Sequence, residues 1–245
     1  MKISSFKFKN FKILLAEGRK KFQGVSLSSQ LLAQIIPQLS GYDVLDLGCG
    51  VGYFTIGALY LGAKKVMAID VKNVEKILEK NVKLNNFSVK KVKFIESDLF
   101  SKIPKNRKFD AIIANLPQHA LPATPIAQKL KGKYGGCDGT ELICRALAEG
   151  AYYLRPNAKF FCAISELTNF KRTFAVAETL YRIKIHSQIK KTLRKNEMEP
   201  YIKDKEYLRY LKELKQKKLI HYRGDGVKKP IVYEVYLCEF ILKSR

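Results

Sequence analysis

One glycine-rich run has the residue types and the spacing of a nucleotide-binding turn. It consists of Asp46, Leu47, Gly48, Cys49, Gly50, Val51 and Gly52. The run separates a predicted strand, Val44–Leu47, from a predicted small-residue helix, Gly52–Tyr60. Glycines between a strand and a helix let the backbone turn tightly and approach a bound ligand closely. An NAD-binding turn and a tight turn that binds no ligand are the alternatives.

Three aspartates stand at the ends of successive predicted strands. Asp70 ends the second strand, where a carboxylate takes both hydroxyls of a ribose. Asp98 follows the third strand and can accept a hydrogen bond from an adenine amine. Asp46 would repel a pyrophosphate but suits a sulfonium and an ammonium, so the three favour S-adenosylmethionine. The predicted cofactor-binding residues are Asp46, Gly48, Cys49, Gly50, Gly52, Asp70, Val71, Asp98, Leu99 and Asn115.

A second run could hold the group that receives the methyl. It follows the predicted strand Phe109–Ala114, and its residues, the predicted catalytic set, are Asn115, Leu116, Pro117 and Gln118. An amide or exocyclic amine is a poor nucleophile because its lone pair is delocalised. The Asn115 side-chain oxygen and the Leu116 carbonyl can accept its two N–H bonds, and the rigid Pro117 aims the loop. A simple cap on a strand-end turn is the alternative role of Asn115.

The elements that position these runs alternate between strand and helix. Further strands are predicted at Lys159–Ile164, Ile183–Ile189 and Ile231–Leu242, and Asp138 is predicted as the N-cap of a helix. Alternation of this kind gives right-handed crossovers and a parallel sheet with helices on both faces. Residues 116–137 form a long loop, and loops of this length are usually functional or disordered.

The charge is unusual, because Lys and Arg total 46 and Asp and Glu total 22, which gives a net charge of +24 over 245 residues. A protein this basic attracts polyanions. Residues 1–24 are predicted to be a basic N-terminal arm or a short sheet-edge segment, followed by one large domain, 25–245. Between its last two strands lies a basic insertion, 190–229, with 14 Lys/Arg and 6 Asp/Glu. Its tyrosines either stack on bases or pack in the core.

Taken together, these motifs resemble the class I S-adenosylmethionine-dependent methyltransferases, from about Val25 to Phe240. The resemblance implies an α/β fold, a Rossmann-like seven-stranded sheet of order 3-2-1-4-5-7-6 with only the last strand antiparallel. It is nearest to the HemK-type N5-glutamine methyltransferases and to the N-methyltransferases with an Asn-Pro-Pro-Tyr loop. Gln118 stands where that loop carries an aromatic residue, and His119 or Tyr134 could take the aromatic role.

Two methyl acceptors remain open. The segment Tyr134–Arg145 resembles the Gly-Gly-x-Asp-Gly segment of the HemK-type enzymes and favours a protein glutamine in the translation apparatus. In those enzymes a Pro-Arg-x-Glu-Thr-Glu stretch stands where this chain has Ser26–Gln30. Asn115-Leu116-Pro117 also resembles the rRNA adenine dimethyltransferases, which together with the charge favours an RNA or DNA base. A non-catalytic nucleic-acid-binding protein of the same fold is the rival from another class.

Composition excludes several classes of protein. No run of about 18 apolar residues is present, so no membrane span is expected. The five cysteines lack a C-x-x-C pair, which argues against a disulfide scaffold and a metal site. We therefore expect a soluble cytoplasmic enzyme with a macromolecular substrate, protein or nucleic acid, in association with the ribosome. The sequence leaves the oligomeric state open.

Overall fold

Nine strands and six helices are formed by the residues that the computed structural model describes, which are 2–16, 25–122, 135–193 and 205–244. The strands are β1 (Ile3–Phe8), β2 (Phe11–Ala16), β3 (Asp43–Leu47), β4 (Lys65–Asp70), β5 (Val92–Glu96), β6 (Phe109–Ala114), β7 (Leu154–Ser165), β8 (Tyr181–Thr192) and β9 (Val232–Leu242). The helices are α1 (Leu27–Ile35), α2 (Tyr53–Tyr60), α3 (Glu75–Leu84), α4 (Glu141–Tyr153), α5 (Phe170–Leu180) and α6 (Lys205–Gln216). No helix among these residues is both long and apolar enough to cross a membrane.

Seven strands form one sheet of order β5-β4-β3-β6-β7-β9-β8. Numbered along the chain, the strands of this sheet stand in the order 3-2-1-4-5-7-6, with the last strand antiparallel, so the predicted fold is confirmed. β3 pairs in parallel with both β4 and β6, and β4 pairs in parallel with β5. The carboxyl ends of these parallel strands share one edge, which is the ligand edge of such sheets.

The chain divides into two compact units. The first unit comprises residues 1–115, 149–163 and 239–245, and the second comprises residues 116–148 and 164–238. The glycine-rich turn and the three aspartates belong to the first unit, and Leu116–Gln118 belongs to the second.

In the first unit, much of the predicted N-terminal arm is a packed hairpin. β1 and β2 pair antiparallel, with Ile3 opposite Ala16, and Phe8, Ile13 and Leu15 are fully buried. Two asparagines continue this packing, Asn81 within α3 and Asn85 at its C-cap. The Asn81 side-chain oxygen accepts from the backbone N–H of Ala16 at 2.7 Å. The alternation of apolar residues along the two strands explains the burial.

The buried helix α2 shows why the hairpin fits. Every residue of α2 except Tyr60 is buried, so this helix needs cover on several sides. The Phe8 ring lies over Gly57, where an added Cβ would come within 2.1 Å of it. Glycine is therefore required for this close approach. The contact fixes the helix that begins directly after the glycine-rich turn.

In the second unit, the basic insertion contains the amphipathic helix α6. Tyr207, Leu211 and Leu214 form its buried stripe. The strand before the insertion extends to Thr192, so the insertion begins inside β8. Tyr207 and Tyr222 are buried, so these two tyrosines pack in the core and are not free to stack on bases. Tyr201 lies outside the described residues.

Candidate functional site

The glycine turn, Gly48–Gly52, joins β3 to α2 in the first unit. Gly50 and Gly52 have φ values of 52° and 96°, in the left-handed region that favours glycine. An added Cβ at Gly52 would lie 2.4 Å from the side chain of Leu78, whereas nothing lies within 4 Å of one at Gly50. The N–H groups of Gly48 and Cys49 both donate to the Ile69 carbonyl of β4 at 2.8 Å. The turn is thus fixed to the neighbouring strand and is open at Gly50.

Asp70 braces this turn from the end of β4. Its Oδ2 accepts from the Gly50 N–H at 2.9 Å, and its Oδ1 accepts from the Lys72 N–H at 3.0 Å. Each carboxylate oxygen offers two lone pairs, so both oxygens can still accept a hydroxyl. Val71, the next residue, is 67% exposed although it is apolar. The end of β4 therefore offers a carboxylate and an apolar surface side by side.

Asp46 lies beneath the turn and is only 1% exposed. Its Oδ2 accepts from the Thr55 hydroxyl at 2.6 Å. Burial raises the pKa of Asp46 to about 7, with a smaller contribution from the charge of Asp70, and the hydrogen bonds of Thr55 oppose the rise. Near neutral pH this carboxyl is therefore divided between protonated and ionised forms.

Thr55 was missed by the sequence reasoning, although its signal was present: it is the one hydroxyl-bearing aliphatic residue in the apolar run of α2. Cys49, another member of the predicted set, is 7% exposed. Burial raises the pKa of the Cys49 thiol well above its usual range, so this cysteine does not act as a nucleophile.

Asp98 and Leu99 follow the end of β5. Asp98 is exposed, and Leu99 is buried with a φ of 45°, which is unusual for a residue with a side chain. The N–H of Ser97 donates to the Asp70 carbonyl at 2.9 Å. This bond aligns the ends of β4 and β5, so that the structure brings Asp70 and Asp98 to the same edge of the sheet as the glycine turn.

Asn115 follows β6, the other neighbour of β3, and its amide is held by serines of α1. The Nδ2 atom donates to the Ser29 hydroxyl at 2.7 Å and lies 3.5 Å from that of Ser26. Ser26 is the N-cap of α1 and accepts from the Ser29 N–H at 3.0 Å. With its nitrogen engaged, Asn115 is left with its Oδ1 oxygen to accept a hydrogen bond. The Ser-x-x-Ser spacing indicates a helix cap but carries no signal for the contact with Asn115.

In the second unit, Leu116 is buried and Gln118 is half-buried. The Gln118 Oε1 accepts from the Ser165 N–H, at the end of β7, at 3.2 Å. Gln118 therefore anchors its own loop and does not present a flat face for stacking. His119 is half-buried, and Tyr134, the other candidate for an aromatic role, lies outside the described residues.

The structure packs the two predicted acceptor motifs against each other within the second unit. The Gly135 N–H donates to the His119 carbonyl at 3.0 Å. A Cβ at Gly135 would lie 2.8 Å from the Gln118 Cα, and one at Gly139 would lie 2.7 Å from the Gln118 carbonyl oxygen. The glycines are needed because one backbone passes directly over the other.

Asp138 is not the N-cap of α4, which is a correction to the sequence prediction. The helix begins at Glu141, and Asp138 lies further upstream, where its Oδ1 accepts from the N–H and hydroxyl of Thr140. Partial burial opposes ionisation of Asp138, but hydrogen bonds from Thr140, Asn169 and Arg172 outweigh it and lower its pKa. A short polar side chain suits a turn as well as a cap, and the turn prevails here.

Comparison with known proteins identifies the family. Residues 21–130 match the ribosomal protein L11 methyltransferase family. A Methanocaldococcus jannaschii protein assigned by name to the protein N5-glutamine methyltransferases is 32% identical over 168 residues, which cover 66% of this chain and 82% of that protein. This chain belongs to the class I S-adenosylmethionine-dependent methyltransferases.

More distant similarities agree with this family. The ribosomal protein L11 methyltransferase of Ruminiclostridium cellulolyticum is 40% identical over 75 residues, which are 30% of this chain and only 23% of that protein. The structure of a T. thermophilus 16S rRNA N2 G1207 methyltransferase with AdoMet and guanosine superposes with a TM-score of 0.59 at 17% identity. It covers 99% of this chain and 50% of that chain, and it supports the fold. The methyltransferase uses S-adenosylmethionine, and the non-catalytic alternative is not retained.

Proposed function

We propose that the methyltransferase binds its cofactor at the glycine turn and the ends of β4 and β5. The residues fit such a ligand, because Gly50 leaves open space and both Asp70 oxygens retain acceptor capacity. Asp70 would take the ribose hydroxyls, and the exposed Val71 would cover the adenine ring. Asp98 would accept from the adenine amine, beside Leu99, while Asp46 would stabilise positive charge from beneath the turn.

S-adenosylmethionine, when bound, supplies a methyl group whose bond to sulfur breaks as the bond to the acceptor nitrogen forms, with the electron pair left on sulfur. The chain's part is to hold that nitrogen. Asn115 Oδ1 and the carbonyl of Leu116, consecutive in the chain, would accept its two N–H bonds. This localises the nitrogen lone pair, and one N–H proton then leaves to water. Positioning of this kind needs no covalent intermediate.

The acceptor is, on this proposal, the side-chain amide of a glutamine in a protein of the translation apparatus. The observation that supports it most is the anchoring of Gln118 to the Ser165 N–H at 3.2 Å. A planar base would need a stacking partner at this position, whereas a small amide needs only the two acceptors. The relative assigned to the N5-glutamine methyltransferases, 32% identical, supports the same acceptor. On this proposal the enzyme works in the cytoplasm, where proteins of the translation apparatus are made, in association with the ribosome.

Methyl transfer into a cell extract tests the proposal. The purified enzyme is incubated with extract and tritium-methyl-labelled S-adenosylmethionine, and the labelled product is treated with protease or with ribonuclease. We expect label that survives ribonuclease and is lost to protease. Acid hydrolysis of the amide should release it as methylamine, which becomes volatile once the hydrolysate is made alkaline. Asn115→Ala enzyme serves as the matched control and should leave the extract unlabelled.

An amine on an RNA base is the second candidate acceptor, and the net charge of +24 favours it. In the same experiment it predicts label that ribonuclease removes and protease does not. Label in protein that acid hydrolysis fails to release as methylamine would contradict the glutamine amide as acceptor.

A further inference from the structure

One face of β8 is an exposed row of cations. Side chains alternate between the two faces of a strand, so Arg182, Lys184 and Lys190 lie on the same face. The strand rises about 3.4 Å per residue. All three are exposed. β8 contains no Asp or Glu, and none of the three forms an ion pair with any residue that the structure describes.

The other face of the strand has a different role. Ile183 and Ile189, at odd positions, are half-buried, and Lys191 lies over the ring of Tyr233 of β9, 5.9 Å from its centre. The odd face therefore packs on its surroundings near the two ends of the strand, whereas Ile185 in its middle is 49% exposed. On the even face Arg182, Lys184 and Lys190 are exposed and form no ion pair with the described residues, which makes their charge available to a ligand.

The neighbouring strand leaves this face basic. Tyr236 of β9 shares it, since Gln188 hydrogen-bonds to Tyr236, and the alternation adds one acid, Glu234. β8 also ends the strand order of the sheet, so no strand formed by the described residues pairs with its outer side. Buried Glu166 also faces Tyr236, since its Oε1 accepts from the Tyr236 hydroxyl at 3.0 Å. Three exposed cations against these two carboxylates, neither of which is exposed, leave an exposed basic strip, Arg182–Lys190, that suits a phosphate backbone.

The predicted polyanion site was a different one. The insertion 190–229 offers α6, but its Tyr207 is buried and its Arg209 lies 3.9 Å from Glu213. The charge of α6 is thus partly compensated, and Tyr207 cannot stack on a base. The basic strip has no such compensation along the strand itself.

We propose that the basic strip of β8 is a docking surface for the phosphate backbone of RNA, by which the enzyme holds a ribonucleoprotein while it methylates the protein. The choice of RNA over DNA rests on the proposed translation-related substrate. Contacts with phosphate fix register and orientation without reading sequence. The strip therefore supplies affinity that depends strongly on salt.

Anisotropy of a fluorescein-labelled 20-nucleotide single-stranded RNA tests this proposal without any methyl transfer. The full chain carrying Arg182→Gln, Lys184→Gln and Lys190→Gln is compared with wild type. Loss of three phosphate contacts should weaken binding roughly tenfold or more at 0.1 M salt and lower the salt slope of log K by about 2.

A charge-matched control carries Lys76→Gln, Lys83→Gln and Lys90→Gln, three exposed lysines of the first unit. It loses the same net charge and should bind the RNA within about twofold of wild type. Equal weakening in both variants would overturn the proposal, because the affinity would then follow net charge and not the strip. Failure of the methylation assay with this RNA-binding result intact would count against the acceptor alone.

Other occupants predict other results. Lysines on a sheet edge also prevent edge-to-edge pairing. A β8 variant that dimerises in size-exclusion chromatography with light scattering, yet binds RNA like wild type, would overturn the proposal. Binding of poly-L-glutamate as tight as that of the RNA would overturn the proposal and point to an acidic protein as the partner.

Crosslinking of the enzyme in extract tests the choice of RNA over DNA. The crosslinked nucleic acid should be digested by ribonuclease, and digestion by deoxyribonuclease alone would overturn the choice of RNA.

Discussion

The glycine turn and the acceptor segment, Asn115–Gln118, are built in different ways. The turn is held by the neighbouring strand β4, since the Ile69 carbonyl and the Asp70 carboxylate both accept from its backbone N–H groups. The acceptor segment depends on distant residues, because Asn115 is held by Ser29, 86 residues away, and Gln118 by Ser165, 47 residues away. A local pattern can therefore reveal the first region, whereas the second takes its geometry from packing that spacing does not encode.

The largest expected effect is that of Asn115→Ala, which should impair methyl transfer and leave cofactor binding almost unchanged. Asn115→Ala removes the proposed acceptor for the substrate N–H, so methyl transfer should fall by about a hundredfold or more. Binding of S-adenosylhomocysteine, measured by calorimetry, should stay within about threefold. Turnover that survives nearly intact would show that Asn115 does not position the nitrogen.

A change in the glycine turn should do the opposite. Asp70→Asn replaces one acceptor oxygen by a donor that faces a backbone N–H, and it weakens the proposed ribose contact. We expect S-adenosylhomocysteine affinity to fall roughly ten- to a hundredfold in calorimetry. Glu79→Gln, an exposed carboxylate change in α3, is the control and should leave affinity unchanged. Unaltered affinity in Asp70→Asn would move the ribose elsewhere.

The pKa of Asp46, raised to about 7 by burial, makes a pH-dependent prediction. The ionised form favours the positively charged sulfur, so affinity for S-adenosylmethionine should fall roughly tenfold from pH 8 to pH 6. S-adenosylhomocysteine, whose sulfur is neutral, should respond less. Asp46→Asn should remove the pH dependence, and a wild-type affinity that is flat over this window would contradict the assignment.

The same group affects stability in the free enzyme. Its folded pKa lies above the ordinary value of 3.8, so the folded state binds more protons than the unfolded state between about pH 4 and pH 7. The contribution of Asp46 to stability therefore decreases as pH rises through this window and is constant above it. Thermal unfolding of Asp46→Asn, compared with wild type at pH 5 and pH 8, measures the difference.

The smallest effect concerns the serine that orients Asn115. Ser29→Ala removes the acceptor at 2.7 Å, and we expect kcat to fall about three- to tenfold with cofactor affinity unchanged. Ser29→Thr keeps a hydroxyl and should restore most of the rate. A loss that threonine fails to rescue, or one accompanied by weaker cofactor binding, would indicate a merely structural role for Ser29.

The alternation of strands and helices could be predicted from apolar periodicity, whereas the strand order was what the resemblance to the methyltransferase family implied. The glycine turn could be predicted because its residues are consecutive in the sequence, between a strand and a helix. The contacts of Ser29 and Gln118 could not be predicted, since they join residues from separate elements. Asp138 was assigned to a cap because turns and caps favour the same residue types.

The packing of Phe8 against Gly57 has a consequence for variants of the enzyme that lack the N-terminal hairpin. Proteolysis or a late translation start that removed residues 2–16 would uncover the apolar side of α2. Each large side chain withdrawn from that contact forfeits about 1.5–3 kcal/mol of burial. Loss of the hairpin would then disturb the proposed cofactor site through one loosened helix, with no change to the residues proposed to touch the cofactor.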